Sequence, residues 1–214
     1  MAGLRARALG TMAGQLGNPH GILGTVVAGM LNRGNRPAVA AAVAAAGITP
    51  GATVADLGFG GGAGLAMLLD KVGSSGIVHG VEISPDMIAS ARKRYAPQVR
   101  SGTLQVAAGS LTALPLRDGV LDAAITVNTV YFVDDLPAAF AELARTIRPG
   151  GVAVVGIGDP DAMVKLPFTA HGFRLRPADE VAAALERSGF VVQRSSPGGT
   201  RIPFHVLAGR RGLD

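Results

Sequence analysis

The stretch TVADLGFGGGAGL, which runs from Thr53 to Leu65, predicts how the rest of the chain folds around it. A short apolar run leads to Asp56, and five glycines follow between positions 58 and 64. Glycine has no Cβ, so a glycine-rich turn reaches positive φ and lets a ligand lie against the backbone. The backbone amides that begin a helix have no helical partner and receive carboxylate or phosphate groups. The stretch therefore predicts a buried strand, a ligand-binding turn and the start of a helix.

Strand and helix patterns alternate along the rest of the chain. Apolar or β-branched runs predict further strands at 77–83, 103–107, 121–127 and 152–157, with helical patterns between them. Two last predicted strands, 191–196 and 201–207, are joined by a Pro-Gly-Gly-Thr hairpin loop. Such alternation predicts an α/β fold with a doubly wound, mostly parallel, seven-stranded sheet. A hairpin cannot join parallel neighbours, so the C-terminal strand must run antiparallel.

Local signals mark the ends of several elements. Asn35 and Asp135 each precede a helical pattern and are predicted to cap a helix. The helix after the second strand is predicted to end near Tyr95, and residues 148–151, Arg-Pro-Gly-Gly, to form a turn. Residues 158–177 are irregular, and we expect them to form a loop or lid.

The chain has the length of one α/β domain. Its 214 residues and 48% hydrophobic content are enough for a single core. We expect one structural domain overall, in which residues 1–49 form a helical cap packed on a core made by residues 50–214.

The composition excludes several kinds of site and partner. The chain has no cysteine, which excludes disulfides, thiolate metal sites and cysteine nucleophiles, and fits a reducing, cytoplasmic location. No apolar run reaches 18 residues, so we expect no stable membrane insertion. The net charge of +5 comes mostly from scattered arginines and only 4% of residues are aromatic, so we expect no nucleic-acid partner. A homo-oligomer is left open.

The glycine turn has a more specific pattern that begins at Asp56. The general dinucleotide fingerprint, Gly-x-Gly-x-x-Ala at 58–63, is weak evidence in a chain with 31 glycines. The fuller pattern Asp-x-Gly-x-Gly-x-Gly at 56–62 resembles motif I of the class I S-adenosylmethionine-dependent methyltransferases. The resemblance implies that Asp56 lies near the methionine end of the cofactor. It also implies that the rest of the motif makes room for the amino-acid portion, through Gly58, Phe59, Gly60 and Gly62.

Matches to the same family follow the second and third predicted strands. Glu82 comes 22 residues after Gly60, where both dinucleotide-binding proteins and these methyltransferases place a carboxylate that accepts from the ribose hydroxyls. The resemblance extends this cofactor contact to Ile83 and Met87. The next segment resembles the family's adenine-binding segment, with a serine where an aspartate is usual, and implies adenine contacts at Gly109, Ser110 and Leu111.

The fourth predicted strand is followed by Asn128-Thr129-Val130-Tyr131-Phe132, and the run LARTIRPGG at 143–151 completes the set. Together the motifs resemble the small-molecule branch of the family, close to the ubiquinone/menaquinone-type methyltransferases. A sheet that ends in an antiparallel hairpin also resembles this family's Rossmann-like core. The resemblance thus implies that residues 50–214 form an S-adenosylmethionine-binding domain, with Asn128 and Thr129 near the cofactor.

Three side chains are candidates for a direct part in the chemistry. Tyr131 is expected either to line the acceptor pocket at the carboxyl ends of the strands or to belong to the core. His20 and His171 lie in segments that we expect to cover the pocket, 14–33 and 158–177. Either histidine is a candidate base, with a surface or packing role as the alternative. The four histidines are scattered, so no metal site is expected.

The resemblance implies methyl transfer from S-adenosylmethionine to a small, largely apolar acceptor, with S-adenosylhomocysteine as the product. Two alternatives stay open. One is an NAD(P)-binding Rossmann oxidoreductase, although no Tyr-x-x-x-Lys pair is evident, and the other is a non-catalytic module that binds S-adenosylmethionine. Nucleic-acid methylation is disfavoured, because amino-directed enzymes carry Asp/Asn-Pro-Pro-Tyr/Phe after the fourth strand and residues 128–131 contain neither proline.

Overall fold

The apolar runs of the sequence become the strands of one seven-stranded sheet. A computed structural model of the chain describes residues 34–200 and 202–213. Its strands are β1 (Thr53–Leu57), β2 (Ile77–Glu82), β3 (Leu104–Ala108), β4 (Leu121–Val127), β5 (Ile147–Gly158), β6 (Phe190–Ser195) and β7 (Phe204–Arg211). They lie in the order β3-β2-β1-β4-β5-β7-β6, and β7 runs antiparallel to both of its neighbours. The predicted α/β fold, with a mostly parallel sheet and an antiparallel C-terminal strand, is confirmed.

Helices cover both faces of this sheet. They are α1 (34–45), α2 (Ala63–Val72), α3 (Pro85–Arg94), α4 (Ala96–Ser101), α5 (Leu136–Thr146), α6 (Pro160–Met163) and α7 (Ala178–Arg187). Side chains of β1 alternate between the two faces, as the two-residue period of a strand requires. Val54 joins the core cluster that contains Leu65, whereas Ala55 and Leu57 join the cluster that contains Phe140. None of the helices described is long and apolar enough to cross a membrane.

The strand order creates a crevice at one edge of the sheet. β1 pairs in parallel with β2 on one side and with β4 on the other, so the connections leave β1 and β4 toward opposite sides. Ligands of open α/β sheets bind at such a switch point, outside the carboxyl ends of the strands. The fold therefore places the glycine turn after β1 beside the end of β2 and the end of β4.

Several predicted boundaries are confirmed and others are wrong. Asp135 caps α5, since its side chain accepts from the N–H of Ala138 at 2.9 Å. Asn35 lies inside α1 and does not cap it, because residue 34 is already helical. The helix after β2 ends before Tyr95 as predicted, but a second helix, α4, follows at once with Pro97 in its first turn, where proline is tolerated.

The predicted turn at 148–151 is a bulge within β5. Leu121 pairs with Ile147 and Ala123 with Val152, so four residues on β5 oppose one residue on β4. The strand continues through the bulge because Gly150 has a φ of +75°. The predicted irregular segment 158–177 contains the short helix α6 and a 3-10 helix, Pro167–Ala170. Residues 1–33 of the predicted cap lie outside the described residues, so the division at residue 49 stays a prediction.

Candidate cofactor and acceptor site

A cavity of about 400 Å³ opens at the carboxyl edge of the sheet. The last residues of four parallel strands line it: Leu57, Glu82, Val127 and Gly158. Its outer walls come from α1, from the segment 158–177, and from the loop between β6 and β7. The cavity has a polar end beside the glycine turn and an apolar end beneath the segment 158–177.

The glycine turn needs its glycines for different reasons. Gly58 has a φ of +74°, and a Cβ there would come within 2.5 Å of the Thr129 side chain. Gly60 has a φ of +48°, lines the cavity, and would place a Cβ in open space. Gly62 does not line the cavity. It begins α2 in the left-handed conformation, and its carbonyl accepts from the Tyr95 hydroxyl at 3.1 Å.

Glu82 ties the end of β2 to the glycine turn. Its buried carboxylate accepts hydrogen bonds from the N–H of Gly60 at 2.8 Å, of Ile83 at 2.8 Å and of Ser84 at 3.1 Å. Ile83, beside it, is 47% exposed although it is apolar, and it lines the cavity. An acidic group and an apolar side chain therefore lie together at the mouth of the crevice.

Asp56 is the second buried carboxylate at this end. Its pKa is raised to about 7, first by burial and then by the negative charge of Glu82, while a hydrogen bond from the backbone of Leu65 opposes the rise. Gly64, in the first turn of α2, has no Cβ, and a Cβ at that position would overlap the Asp56 carboxylate. The glycine thus allows α2 to start directly against Asp56, where the positive end of the helix favours a negative charge.

The segment after β3 forms another wall of the polar end. Gly109 donates to the Glu82 carbonyl at 3.1 Å, and Leu111 is buried against the cavity. The Ser110 hydroxyl lies 2.9 Å from the Thr112 hydroxyl and accepts from the Thr112 N–H at 3.3 Å. Arg145, on α5, donates hydrogen bonds to the carbonyls of Leu114 and Leu116, which follow Ser110 in the same segment.

The apolar end is lined by aromatic rings. Phe132 and Phe173 pack edge to face with centroids 4.7 Å apart, and Phe173 also contacts Phe168 and Tyr131 at 5.7 and 5.6 Å. Met163 and Leu166 of the segment 158–177 complete this wall. Among the described residues that line the cavity, the charged side chains are Asp56 and Glu82 alone, and both lie at the polar end.

Tyr131 both lines the cavity and belongs to the core, so the two expectations for it hold together. It is 3% exposed, and its hydroxyl accepts from the N–H of Gly158 at 2.5 Å and donates to the Asn128 side-chain oxygen at 3.2 Å. Burial raises the pKa of Tyr131 well above its ordinary value, and the hydrogen bond from Gly158 opposes that rise. The hydroxyl is thus engaged within the protein both as an acceptor and as a donor.

The cavity gathers most of the side chains that the sequence singled out. Those that line it are Asp56, Gly58, Phe59, Gly60, Glu82, Ile83, Gly109, Ser110, Leu111, Asn128, Thr129 and Tyr131. Met87 does not, because it lies on the face of α3 that packs into the core beside Ile88 and Ala91. His171 follows the 3-10 helix and also lies outside the lining. His20 lies outside the described residues.

Other lining residues carried no signal in the sequence. They are Ala38 and Val39 on α1, Phe168 and Phe173 in the segment 158–177, and Ile202 and Phe204 at the start of β7. Apolar residues in an irregular segment are a weak hint of a pocket wall, but their contacts depend on how that segment folds back. Within 34–200 and 202–213, the structure holds no group of three or more His, Asp or Glu side chains arranged to bind a metal ion.

Comparison with known proteins identifies this arrangement. Residues 55–155 match a family model described as a methyltransferase domain. The predicted resemblance to the class I S-adenosylmethionine-dependent methyltransferases is confirmed by this match. A SAM dependent methyltransferase from Aquifex aeolicus shares the fold, with a TM-score of 0.71 at 20% identity, over 86% of this chain and 96% of that one.

Two curated relatives of this chain are named for different acceptors. An arsenite methyltransferase of Halobacterium salinarum is 29% identical over 159 residues, which cover 71% of this chain and 40% of that protein. A 2-phytyl-1,4-naphtoquinone methyltransferase of Trichormus variabilis is 31% identical over 109 residues, 51% of this chain and 48% of that protein. The chain spans less than half the length of these two relatives.

The cofactor of this family is S-adenosylmethionine, and the polar end of the cavity fits it. The space over Gly60 is open, since a Cβ there would meet no atom within 4 Å. The two buried carboxylates supply the negative charge that a sulfonium and an ammonium group need. The exposed face of Ile83 offers an apolar surface beside Glu82 for a planar base.

Proposed function

We propose that this methyltransferase transfers a methyl group from S-adenosylmethionine to a small, largely apolar acceptor. One observation carries the proposal: a single cavity joins the glycine turn and Glu82 to a chamber walled by aromatic and aliphatic side chains. A cofactor at the polar end and an acceptor at the apolar end would therefore meet within one cavity.

The polar end supports a residue-by-residue assignment for the cofactor. Asp56 and the turn 58–62 would hold the methionine end, and Glu82 would accept from the ribose hydroxyls, since the oxygen that bonds Gly60 keeps acceptor capacity. Ile83, Ser110 and Leu111 would contact adenine. The Ser110 hydroxyl is engaged with Thr112, so we expect apolar and backbone contacts to contribute most of the adenine binding.

S-adenosylmethionine supplies an electrophilic methyl group on a positively charged sulfur. The chain's own contribution is to orient the acceptor in line with that methyl and to exclude water, which converts an encounter in solution into a positioned reaction. The rings of Phe132, Phe168 and Phe173 contact one another at the apolar end, where they would exclude water once the acceptor is bound. The Tyr131 hydroxyl is hydrogen-bonded to Gly158 and Asn128, so we assign it an orienting role toward these neighbours.

The acceptor class is supported by the lining and by the relatives. A chamber whose walls lack charged side chains accommodates apolar bodies and disfavours ionised groups. A phytyl naphthoquinone, the compound in the name of the Trichormus relative, is such an apolar body. We also propose that the protein is cytoplasmic and has no nucleic-acid partner. The proposal is compatible with a homo-oligomer.

Calorimetric titration distinguishes this function from the oxidoreductase alternative. We expect S-adenosylmethionine and S-adenosylhomocysteine to bind, and NADH and NADPH not to bind; binding of either nicotinamide cofactor in their place would overturn the proposal. The sheet order favours the methyltransferase, because dinucleotide-binding domains follow β5 with a parallel strand and here the antiparallel β7 occupies that place.

Turnover distinguishes an enzyme from a module that only binds S-adenosylmethionine. The purified chain would be incubated with the cofactor and with arsenite, reduced menadione or a hydroxylated flavonoid, and S-adenosylhomocysteine would be quantified by mass spectrometry. Product above the acceptor-free background with an apolar aromatic acceptor supports the proposal. Tight cofactor binding with no product from any acceptor favours the non-catalytic module.

A further inference from the structure

Asn128 has an unusual backbone at the junction of the two ends of the cavity. It follows β4 directly, lines the cavity and has a φ of +59°, the single positive φ at a non-glycine residue among those described. Its N–H donates to the Gly156 carbonyl at 2.9 Å, which keeps this conformation in place. Residues held in sparsely populated backbone conformations cluster at functional sites, although asparagine tolerates this one better than most.

The direction of the Asn128 amide follows from the hydrogen bonds of Tyr131. The Tyr131 oxygen accepts from the N–H of Gly158, so the hydroxyl proton is directed elsewhere, and Asn128 lies 3.2 Å away. A hydroxyl proton that points from Tyr131 to Asn128 needs a hydrogen-bond acceptor there, so Asn128 presents its amide oxygen to Tyr131. The amide nitrogen, with its two N–H groups, then lies on the other side of the side chain, and no hydrogen bond to a protein atom in the described residues is recorded for it.

We infer that Tyr131 holds Asn128 as a hydrogen-bond donor toward the acceptor, and that the acceptor is an aromatic compound with a neutral oxygen, a carbonyl or a hydroxyl. This inference rests on the proposed function. Planar rings pack edge to face or offset against aromatic side chains, and Phe132, Phe168 and Phe173 form such a wall. The wall has no cation to compensate an anionic group, so a polar contact at this end would come from an uncharged donor.

Asn128 is then a specificity-determining residue, and Tyr131 is a positioning residue that acts through it. A hydrogen-bond donor in a binding site discriminates between ligands because an unpaired donor is costly. A methyl acceptor that lacks the oxygen would leave the N–H of Asn128 buried without a partner. We expect the oxygen to improve binding about tenfold relative to the same ring system without it, provided that the amide is present and held.

The competing explanation is that asparagine stands here only because it tolerates positive φ. Asn128→Gly separates the two, since glycine adopts this backbone freely and has no amide. Asn128→Asp keeps the shape and the backbone preference but removes both donors. Tyr131→Phe removes the hydroxyl and lets the amide rotate. Gln193→Glu, an exposed amide on β6, is the matched control for the change from amide to carboxylate.

The experiment measures binding of 1-tetralone and tetralin, which differ in one carbonyl oxygen, to the full chain saturated with S-adenosylhomocysteine. The readout is the ratio of the Kd of tetralin to the Kd of 1-tetralone. We expect this ratio to fall about tenfold in Asn128→Gly and Asn128→Asp, to fall partly in Tyr131→Phe, and to stay unchanged in Gln193→Glu. The affinity for S-adenosylhomocysteine serves as the internal reference for each variant.

Three outcomes decide the matter. A ratio that is equal in the wild type and in Asn128→Gly overturns the donor role and leaves the backbone explanation. Failure of both probes to bind a chain that does bind S-adenosylhomocysteine overturns the aromatic acceptor. Failure to bind S-adenosylhomocysteine overturns the proposed function instead, so the two failures are distinguishable. If Asn128→Gly does not fold, Asn128→Asp supplies the same comparison.

Discussion

The carboxylate of Glu82 accepts a hydrogen bond of 2.8 Å from the backbone N–H of Gly60, so the end of β2 holds the turn that follows β1. The same group accepts from the N–H of Ile83 and Ser84, which anchors it to its own strand end. A side chain that fits a role in binding the cofactor thus also shapes the glycine turn. Losing it would change the site in both ways.

Glu82→Gln is expected to weaken S-adenosylmethionine binding 10- to 100-fold. The amide has one accepting oxygen in place of two and no charge, and hydrogen bonds to a charged group are worth about 1.5–3 kcal/mol. Calorimetric titration measures the change, and Glu186→Gln, an exposed carboxylate on α7, is the control. An affinity equal to that of the wild type would contradict the role of Glu82.

Gly60→Ala tests whether the open space over the turn is the cofactor site. The matched control is Gly102→Ala at the end of α4, since both glycines have positive φ and neither Cβ would meet an atom within 4 Å. We expect each change to cost about 1 kcal/mol of unfolding free energy, because alanine strains this backbone. Only Gly60→Ala should also lower cofactor affinity, by tenfold or more, and equal affinities in the two variants would place the cofactor elsewhere.

Asp56→Asn is expected to stabilise the folded protein above pH 7 while it weakens cofactor binding. Burial raises the pKa of Asp56 to about 7, so between about pH 4 and 7 the folded state keeps a proton that the unfolded chain has released. The stability of the wild type therefore falls as the pH rises through this window, and the full penalty is present above pH 7. The variant lacks that penalty.

The measurement for Asp56→Asn compares the free energy of unfolding of variant and wild type at two pH values. Urea unfolding of wild type and variant at pH 5 and pH 8 should show a gain for the variant that is on the order of 2 kcal/mol larger at pH 8. Titrating groups that do not interact with Asp56 cancel in this comparison. An advantage that is the same at both pH values would mean that Asp56 ionises normally in the folded state.

Arg145→Lys is expected to loosen the segment that forms the adenine wall. The guanidinium donates to the carbonyls of Leu114 and Leu116 at 3.1 and 2.8 Å and pairs with Glu142 at 2.7 Å. A lysine cannot reproduce this fork. We expect a several-fold loss of cofactor affinity and about 1 kcal/mol of unfolding free energy.

The control for Arg145 is Arg148→Lys. Arg148 pairs with Asp122 at 2.7 Å, but its side chain is 52% exposed against 32% for Arg145, so solvent screens the pair more. A loss of cofactor affinity of the same size in both variants would show that a general effect of replacing a guanidinium by an ammonium group, and not the clamp on the segment after β3, is responsible.

The sequence predicts best those site residues that lie at the carboxyl ends of neighbouring strands. Glu82 and Asp56 end or nearly end apolar strands, and parallel strands bring their carboxyl ends to one edge, so sequence order alone predicts that the two meet. The resemblance to a family motif predicts a cofactor contact for Met87. The periodicity of α3 instead places Met87 on the buried face of the helix, with Ile88 and Ala91. His171 was placed by its segment, whose 3-10 helix leaves the ring outside the cavity lining.

By itself, the order of residues along this chain determined the sheet, the glycine turn and the pair of carboxylates. Each depends on local properties: the two-residue period of strands, the conformational range of glycine, and the meeting of parallel strand ends. Only the tertiary structure decided the raised pKa of Asp56, the aromatic wall and the chain of hydrogen bonds from Gly158 through Tyr131 to Asn128. The pKa depends on burial, the wall depends on contact between Phe132 and Phe173, and the Gly158–Tyr131 bond joins residues 27 positions apart, so no local pattern encodes these features.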